Sequence, residues 1–125
     1  MKAYTNIEQS KTLAKILPVE SADMKFPYFG DGQYGSTAVF GEPIEFSGGK
    51  DVPCWSLAAL LDQLDDVIYD NDGYEYKLEI IKEGVQYYLV YEGMLDAACY
   101  ETSLYDDLIN ACVEMILKLH EQKLI

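Results

Sequence analysis

A chain of 125 residues, half of them hydrophobic and 13% aromatic, is long enough for one packed domain and too apolar for a disordered tail, despite a net charge of −13. Its 9 basic residues are all Lys, set against 22 carboxylates, and this balance without Arg argues against direct binding of DNA or RNA. No apolar run approaches the ~20 residues of a membrane span. The opening "MKAYTNIEQS" lacks an apolar signal core, and the 3 cysteines form no CxxC pair, so a cytoplasmic protein with free thiols is expected.

In chain order, a first helix is predicted after Thr5, which with Glu8 reads as a capping box. Ile7, Leu13, Ala14 and Leu17 can share its apolar face, and Pro18 stops it near Ile16. Residues 26–52 carry strand and turn chemistry: "FPYF" and "STAVF" flank the stretch "GDGQYG", "IEF" follows Pro43, and "SGGKD" reads as a turn. A second helix is announced by "VPCWSLAALLDQL", with Ser56 as N-cap and Trp55 stapled against Leu60. Leu57, Leu60, Leu61 and Leu64 make its buried stripe. Asp62, Asp65 and Asp66 collect where the macrodipole disfavours them, and so end it.

"YEYKLEIIKEGVQYYLVYE" predicts a hairpin. A turn at Glu83–Gly84 sets Ile80 opposite Tyr87, Leu78 opposite Leu89 and Tyr76 opposite Tyr91 on one side. The last helix is expected from about Leu104 to Gln122, capped by Ser103, with Asp106 and Asp107 in its first turn. Leu104, Leu108, Ile109, Cys112, Met115, Ile116 and Leu119 form its stripe, and Glu114 and Lys118 an i, i+4 pair. The expected fold class is therefore α+β: a single domain over residues 1–125, with a small, mainly antiparallel sheet and about three helices packed chiefly on one face.

Two motifs attract functional readings that their contexts do not support. Gly30, Gly32 and Gly35 have GxGxxG spacing, but "STAVFGEP" follows where a dinucleotide fold opens a helix, so a glycine-rich β turn is expected. Asp70, Asp72, Gly73 and Glu79 match part of a calcium loop whose first ligand position falls on Ile68, which has no side-chain oxygen. A turn of Asn, Asp and Gly accounts for these residues better. Cysteines without close pairing do not suggest zinc, and no cofactor or metal is expected.

Catalysis would have to draw on Cys54, near a helix start, and on His120, the single histidine. Cys54 precedes the cap, so a structural thiol is the expectation and the protein is read as not an enzyme. Asp62, Asp65, Asp66, Asp70, Asp72 and Glu75 crowd one segment. The plain reading is a solvated helix end and turn; the sharper one is a negative patch for a basic protein partner, or an imitation of DNA phosphates. The 11 tyrosines favour a contact surface, since Tyr offers large area at small entropic cost.

"YTNIEQSKTLAKILPVESADM", "DVPCWSLAALL" and "ACVEMILKLHEQKLI", with Trp55, Ser56, Leu57, Leu60, Leu61, Met115 and Leu119, resemble small uncharacterised proteins of Bacteroides-type gut bacteria. Such proteins are often linked with prophages and other mobile elements. The resemblance implies a compact α+β domain and supplies no catalytic residue. Three functions follow, in order: a non-enzymatic protein-binding or accessory protein, an acidic decoy for a nucleic-acid-binding protein, and an enzyme using Cys54.

Overall fold

The computed structural model describes residues 2–46, 48–93 and 99–125. The chain is α+β with antiparallel strand pairing throughout its described ladders. Its strands fall into separate sheets, and the chain divides into two compact units, Lys2–Leu60 and Leu61–Ile125.

In the first unit, α1 (Ile7–Leu13) opens one residue later than the sequence suggests. Asn6 is the N-cap: its Oδ1 accepts from Gln9 N at 2.8 Å, and Gln9 Oε1 accepts from Asn6 N at 3.0 Å. Thr5 does not cap, because its hydroxyl is engaged elsewhere, 2.7 Å from Ser10 Oγ and accepting from Trp55 N at 3.2 Å. A short 3-10 turn over Val19–Ser21 follows Pro18.

Strands β1 (Met24–Phe26), β4 (Val39–Phe40) and β7 (Val52–Cys54) form a 3-stranded sheet in the order β4-β1-β7. Pro53 is tolerated because β7 is an edge strand. Met24, Phe26, Ala38, Val52 and Cys54 make a core, against which Tyr4, Ile7 and Tyr34 pack.

Two small hairpins complete this unit. β2 (Tyr28–Gly30) and β3 (Gln33–Tyr34) are joined through Asp31 and Gly32, whose φ values of 51° and 74° are both positive. Positive φ at both central positions is the type I′ turn, which Asp-Gly favours. The glycine stretch is thus a hairpin tip, as its context predicts. β5 (Glu45–Phe46) and β6 (Gly49–Lys50) form the other hairpin; Ser47, part of its expected "SGGKD" turn, lies outside the described residues. Tyr28 ties the two tips, its hydroxyl donating to Gly48 O at 3.0 Å and accepting from Gly32 N at 3.2 Å.

α2 (Leu57–Asp62) follows Ser56, whose Oγ accepts from Ala59 N at 3.2 Å, the predicted cap. Asp23 braces that cap by accepting from Ser56 N and Oγ. Trp55 and Leu60 are wholly buried.

In the second unit, β8 (Val67–Tyr69), β9 (Glu75–Glu83), β10 (Gln86–Gly93) and β11 (Tyr100–Glu101) form a 4-stranded antiparallel sheet in the order β11-β10-β9-β8. The β9–β10 hairpin exists as predicted, but its register is shifted by two. Leu89 pairs with Ile80, Tyr91 with Leu78 and Gly93 with Tyr76. The turn is Gly84–Val85, because its first central residue has φ 66°, a conformation that Gly adopts freely and Glu83 would not. A shift of two keeps every side chain on its predicted face.

α3 (Leu108–Glu121) starts four residues later than expected. Tyr105 is held by backbone bonds to Tyr87 of 2.7 and 2.9 Å, so the preceding residues belong to the strand layer. Asp107 is the N-cap, accepting from Ile109 N at 2.9 Å, while Ser103 instead donates its N–H to Glu114. The stripe Ile109, Cys112, Met115, Ile116 and Leu119 is buried, and the helix packs against β10 and β11. Leu104, assigned to that stripe, is 45% exposed. The Glu114–Lys118 pair is present at 3.9 Å. Among the described residues, no helix is long and apolar enough to cross a membrane.

Candidate functional site

The candidate catalytic groups belong to different units. Cys54 belongs to the first unit and His120, exposed on α3, to the second. Cys54 is wholly buried, with Sγ 3.4 Å from Thr5 O and 3.5 Å from Thr5 Oγ1. Burial pushes its thiol up, and the charge of Asp23 adds to that, against the opposing hydroxyls of Thr5 and Ser10. A nucleophilic cysteine needs the reverse, a lowered value and access. Cys112 is likewise buried and pushed up to about 12.

A groove of about 630 Å³ opens in the first unit beside Tyr4, Ile7, Phe26 and Tyr34. Its size suits a small molecule. Of its polar lining, Lys2 Nζ donates to Gln9 Oε1 at 3.0 Å and Asn6 caps α1.

The acidic run lies wholly in the second unit, and the fold divides it. Asp62 ends α2, and Asp65 and Asp66 are exposed just before β8. The main chain there is firmly held, as Asp65 O accepts from the Tyr91 hydroxyl at 2.6 Å and Asp66 O from Leu78 N at 2.9 Å. Asp70 and Asp72 lie beyond the other end of β8, with Asp70 roughly 13 Å along the chain from Asp66 at the ~3.3 Å rise of a strand.

Asp70 is a turn-former. Its Oδ1 accepts from Asp72 N at 2.9 Å and Tyr74 N at 3.0 Å, and its Oδ2 from the Tyr76 hydroxyl at 2.9 Å. Desolvation alone would raise its carboxyl, but these donors outweigh it and hold it below the usual range. Gly73, with φ 85°, closes the turn, so the calcium-like residues form the β8–β9 loop. Among the described residues no group of carboxylate, Cys and His side chains has the arrangement of a metal site.

Only Glu75 of the run joins a second constellation, which single-segment reading misses. Residues paired across antiparallel strands point to the same face. The register therefore places Glu75, Lys77, Glu79, Ile81 and Glu83 of β9 beside Tyr69 of β8, Tyr88, Val90 and Glu92 of β10, and Glu101 of β11. Tyr76, Leu89 and Tyr91, all buried, point to the opposite face. On the acidic face Glu79, Glu83, Glu92 and Glu101 are exposed and Tyr69 is 61% exposed, while Val90 is buried. Partial burial pushes the Tyr88 phenol up, with Glu101, Glu83, Glu79 and Glu92 adding their negative field. Alternation within "EYKLEIIKE" already places Glu75, Glu79 and Glu83 on one side; Glu92 and Glu101 join them only through the strand register.

No family model, curated protein or solved structure matches this chain.

Proposed function

We propose that the chain is a non-enzymatic protein-binding or accessory protein whose sheet in the second unit receives a basic protein partner. The observation that carries this reading is the outward sheet face, where exposed glutamates from three strands surround Tyr88 and extend toward Tyr69. Carboxylates held on a rigid sheet steer a cationic surface, and Tyr supplies the contact area that charge alone lacks. The aspartates flanking β8 enlarge the same negative region. An accessory role accords with the resemblance to mobile-element proteins.

The rival reading, an acidic decoy for a nucleic-acid-binding protein, uses the same carboxylates. Lys77 stands between Glu75 and Glu79, and Tyr69 and Tyr88 lie among them, so the face mixes charge and aromatic area instead of repeating one charge. That mixture favours a protein-recognising surface.

The test is association kinetics with the partner captured by the full chain. Changing Glu79, Glu83, Glu92 and Glu101 to Gln removes exposed charge with little change of shape. Association should slow by about tenfold at low salt, and most of its salt dependence should disappear. An unchanged rate, with circular dichroism intact, would remove this face from the function.

A further inference from the structure

Among the described residues, the sheet that carries the glutamates ends at β8, with no further strand paired to that edge. β8 is the last strand of the order β11-β10-β9-β8. Its ladder to β9 is fixed by Leu78 N donating to Asp66 O at 2.9 Å and Asp70 N donating to Tyr74 O at 3.0 Å. In an antiparallel pair the residues that exchange backbone bonds alternate with those that do not. Asp66, Ile68 and Asp70 therefore turn their backbone groups toward β9, and Val67 and Tyr69 turn theirs away from the sheet. Tyr69 is 61% exposed, so this edge is accessible at its side chain as well.

An outward row of N–H and C=O groups is a template for one more strand. The flanking charges decide which strand can use it. Asp65 and Asp66 stand exposed at one end of β8 and Asp72 at the other. A segment of about 5–6 residues spans roughly 17–20 Å, enough to pass both ends at once. A second copy of this chain would bring carboxylates against carboxylates and a further −13 of net charge. That like-charge juxtaposition keeps copies apart, as charged edges do in natural sheets. A segment with Lys or Arg toward both ends meets the opposite field.

From this geometry we infer that β8 receives an extended basic segment of a protein partner as an added strand, bound through the outward backbone groups of Val67 and Tyr69 and oriented by Asp65, Asp66 and Asp72. The inference rests on the proposed recognition of a basic protein and specifies how that protein is held. Side chains of the added strand that share a face with Tyr69 lie beside Tyr69, which is itself paired with Glu75, so they continue the acidic face by one strand.

The probe is a synthetic nine-residue peptide of alternating Lys and Val, titrated into the full chain by fluorescence anisotropy. Its control has the same charge but carries N-methyl groups on the alternate amides that would donate to β8. The unmethylated peptide should bind about tenfold tighter, the net value expected when a few backbone bonds are lost. On binding, hydrogen exchange should slow at the Val67 and Tyr69 amides and stay unchanged at Ile68, which already faces β9. Val67→Pro removes one outward donor without touching the ladder, and should weaken the unmethylated peptide selectively.

Equal affinity for both peptides, or exchange at Val67 and Tyr69 unaltered by saturating peptide, would overturn strand addition. Docking by charge alone would then remain, and the broader reading with it. Binding of neither peptide also overturns strand addition, while the association kinetics of the glutamate variants judge the broader reading separately.

Discussion

Asp51 shows how one buried carboxylate organises the first unit. It is 2% exposed, and its oxygens accept from Tyr28 N at 2.8 Å and Ile44 N at 2.9 Å, with Lys25 Nζ at 3.4 Å. Burial by itself would raise its carboxyl; the two N–H donors and Lys25 together outweigh that and hold it below its ordinary value. A carboxyl lowered by folding stabilises fully above its unfolded value of about 3.9, and loses that contribution as pH falls through its lower folded value. Asp51→Asn should therefore cost about 1.5–3 kcal/mol at pH 7, the usual worth of bonds to a charged group. The difference between wild type and variant should narrow below pH ~4. Urea unfolding at pH 7, 5 and 3 checks this; an equal difference at pH 3 would mean that charge is not what Asp51 contributes. Thiols give a second residue-scale measurement. Cys99 is exposed while Cys54 and Cys112 are buried, so an alkylating reagent at neutral pH should label Cys99 first and the others only on unfolding. Rapid labelling of Cys54 in the folded protein would reopen the enzyme reading.

At the scale of elements, the β9–β10 hairpin separates what turn chemistry sets from what burial sets. The turn at Gly84–Val85 fixes the register, and that register puts Leu89, wholly buried, opposite Ile80, which is 46% exposed. Leu89→Ala should destabilise by about 2–5 kcal/mol, the range for emptying a core site. Ile80→Ala, its direct cross-strand neighbour, should cost less than about 1 kcal/mol because much of that side chain is already in water. Comparable losses in urea titration would contradict the observed distribution of burial along β9. The delayed start of α3 has a similar logic. A bridge between Tyr87 and Tyr105 satisfies backbone groups that a longer helix would have satisfied itself, and the cap then falls to Asp107.

At the scale of the molecule, a net charge of −13 would be a diffuse penalty if the carboxylates were spread evenly. In the second unit they collect on one sheet face and around one sheet edge instead. Fields from exposed charges fade over the ~8 Å Debye length of physiological salt, so clustering of this kind is what gives a surface reach. The first unit has a different character, with a core sheet, two hairpin tips joined by Tyr28, and a cysteine enclosed by hydroxyls.

Much of this protein is legible in local chemistry. The stripe and Glu114–Lys118 pair of α3, the Ser56 cap, the Asp31–Gly32 turn and the alternation of β9 all follow from periodicity and turn preferences, which act over a few residues and need no distant partner. Tertiary structure decided the rest, wherever two distant segments compete for the same backbone groups. Thr5 reads as a cap, but Ser10 and the Trp55 N–H claim its hydroxyl; Ser103 reads as a cap, but Tyr87 holds Tyr105 in the strand layer and Asp107 caps instead. The acidic run is continuous in sequence and is split by β8, while glutamates far apart in sequence converge around Tyr88 because strand pairing, and not chain order, sets which side chains are neighbours.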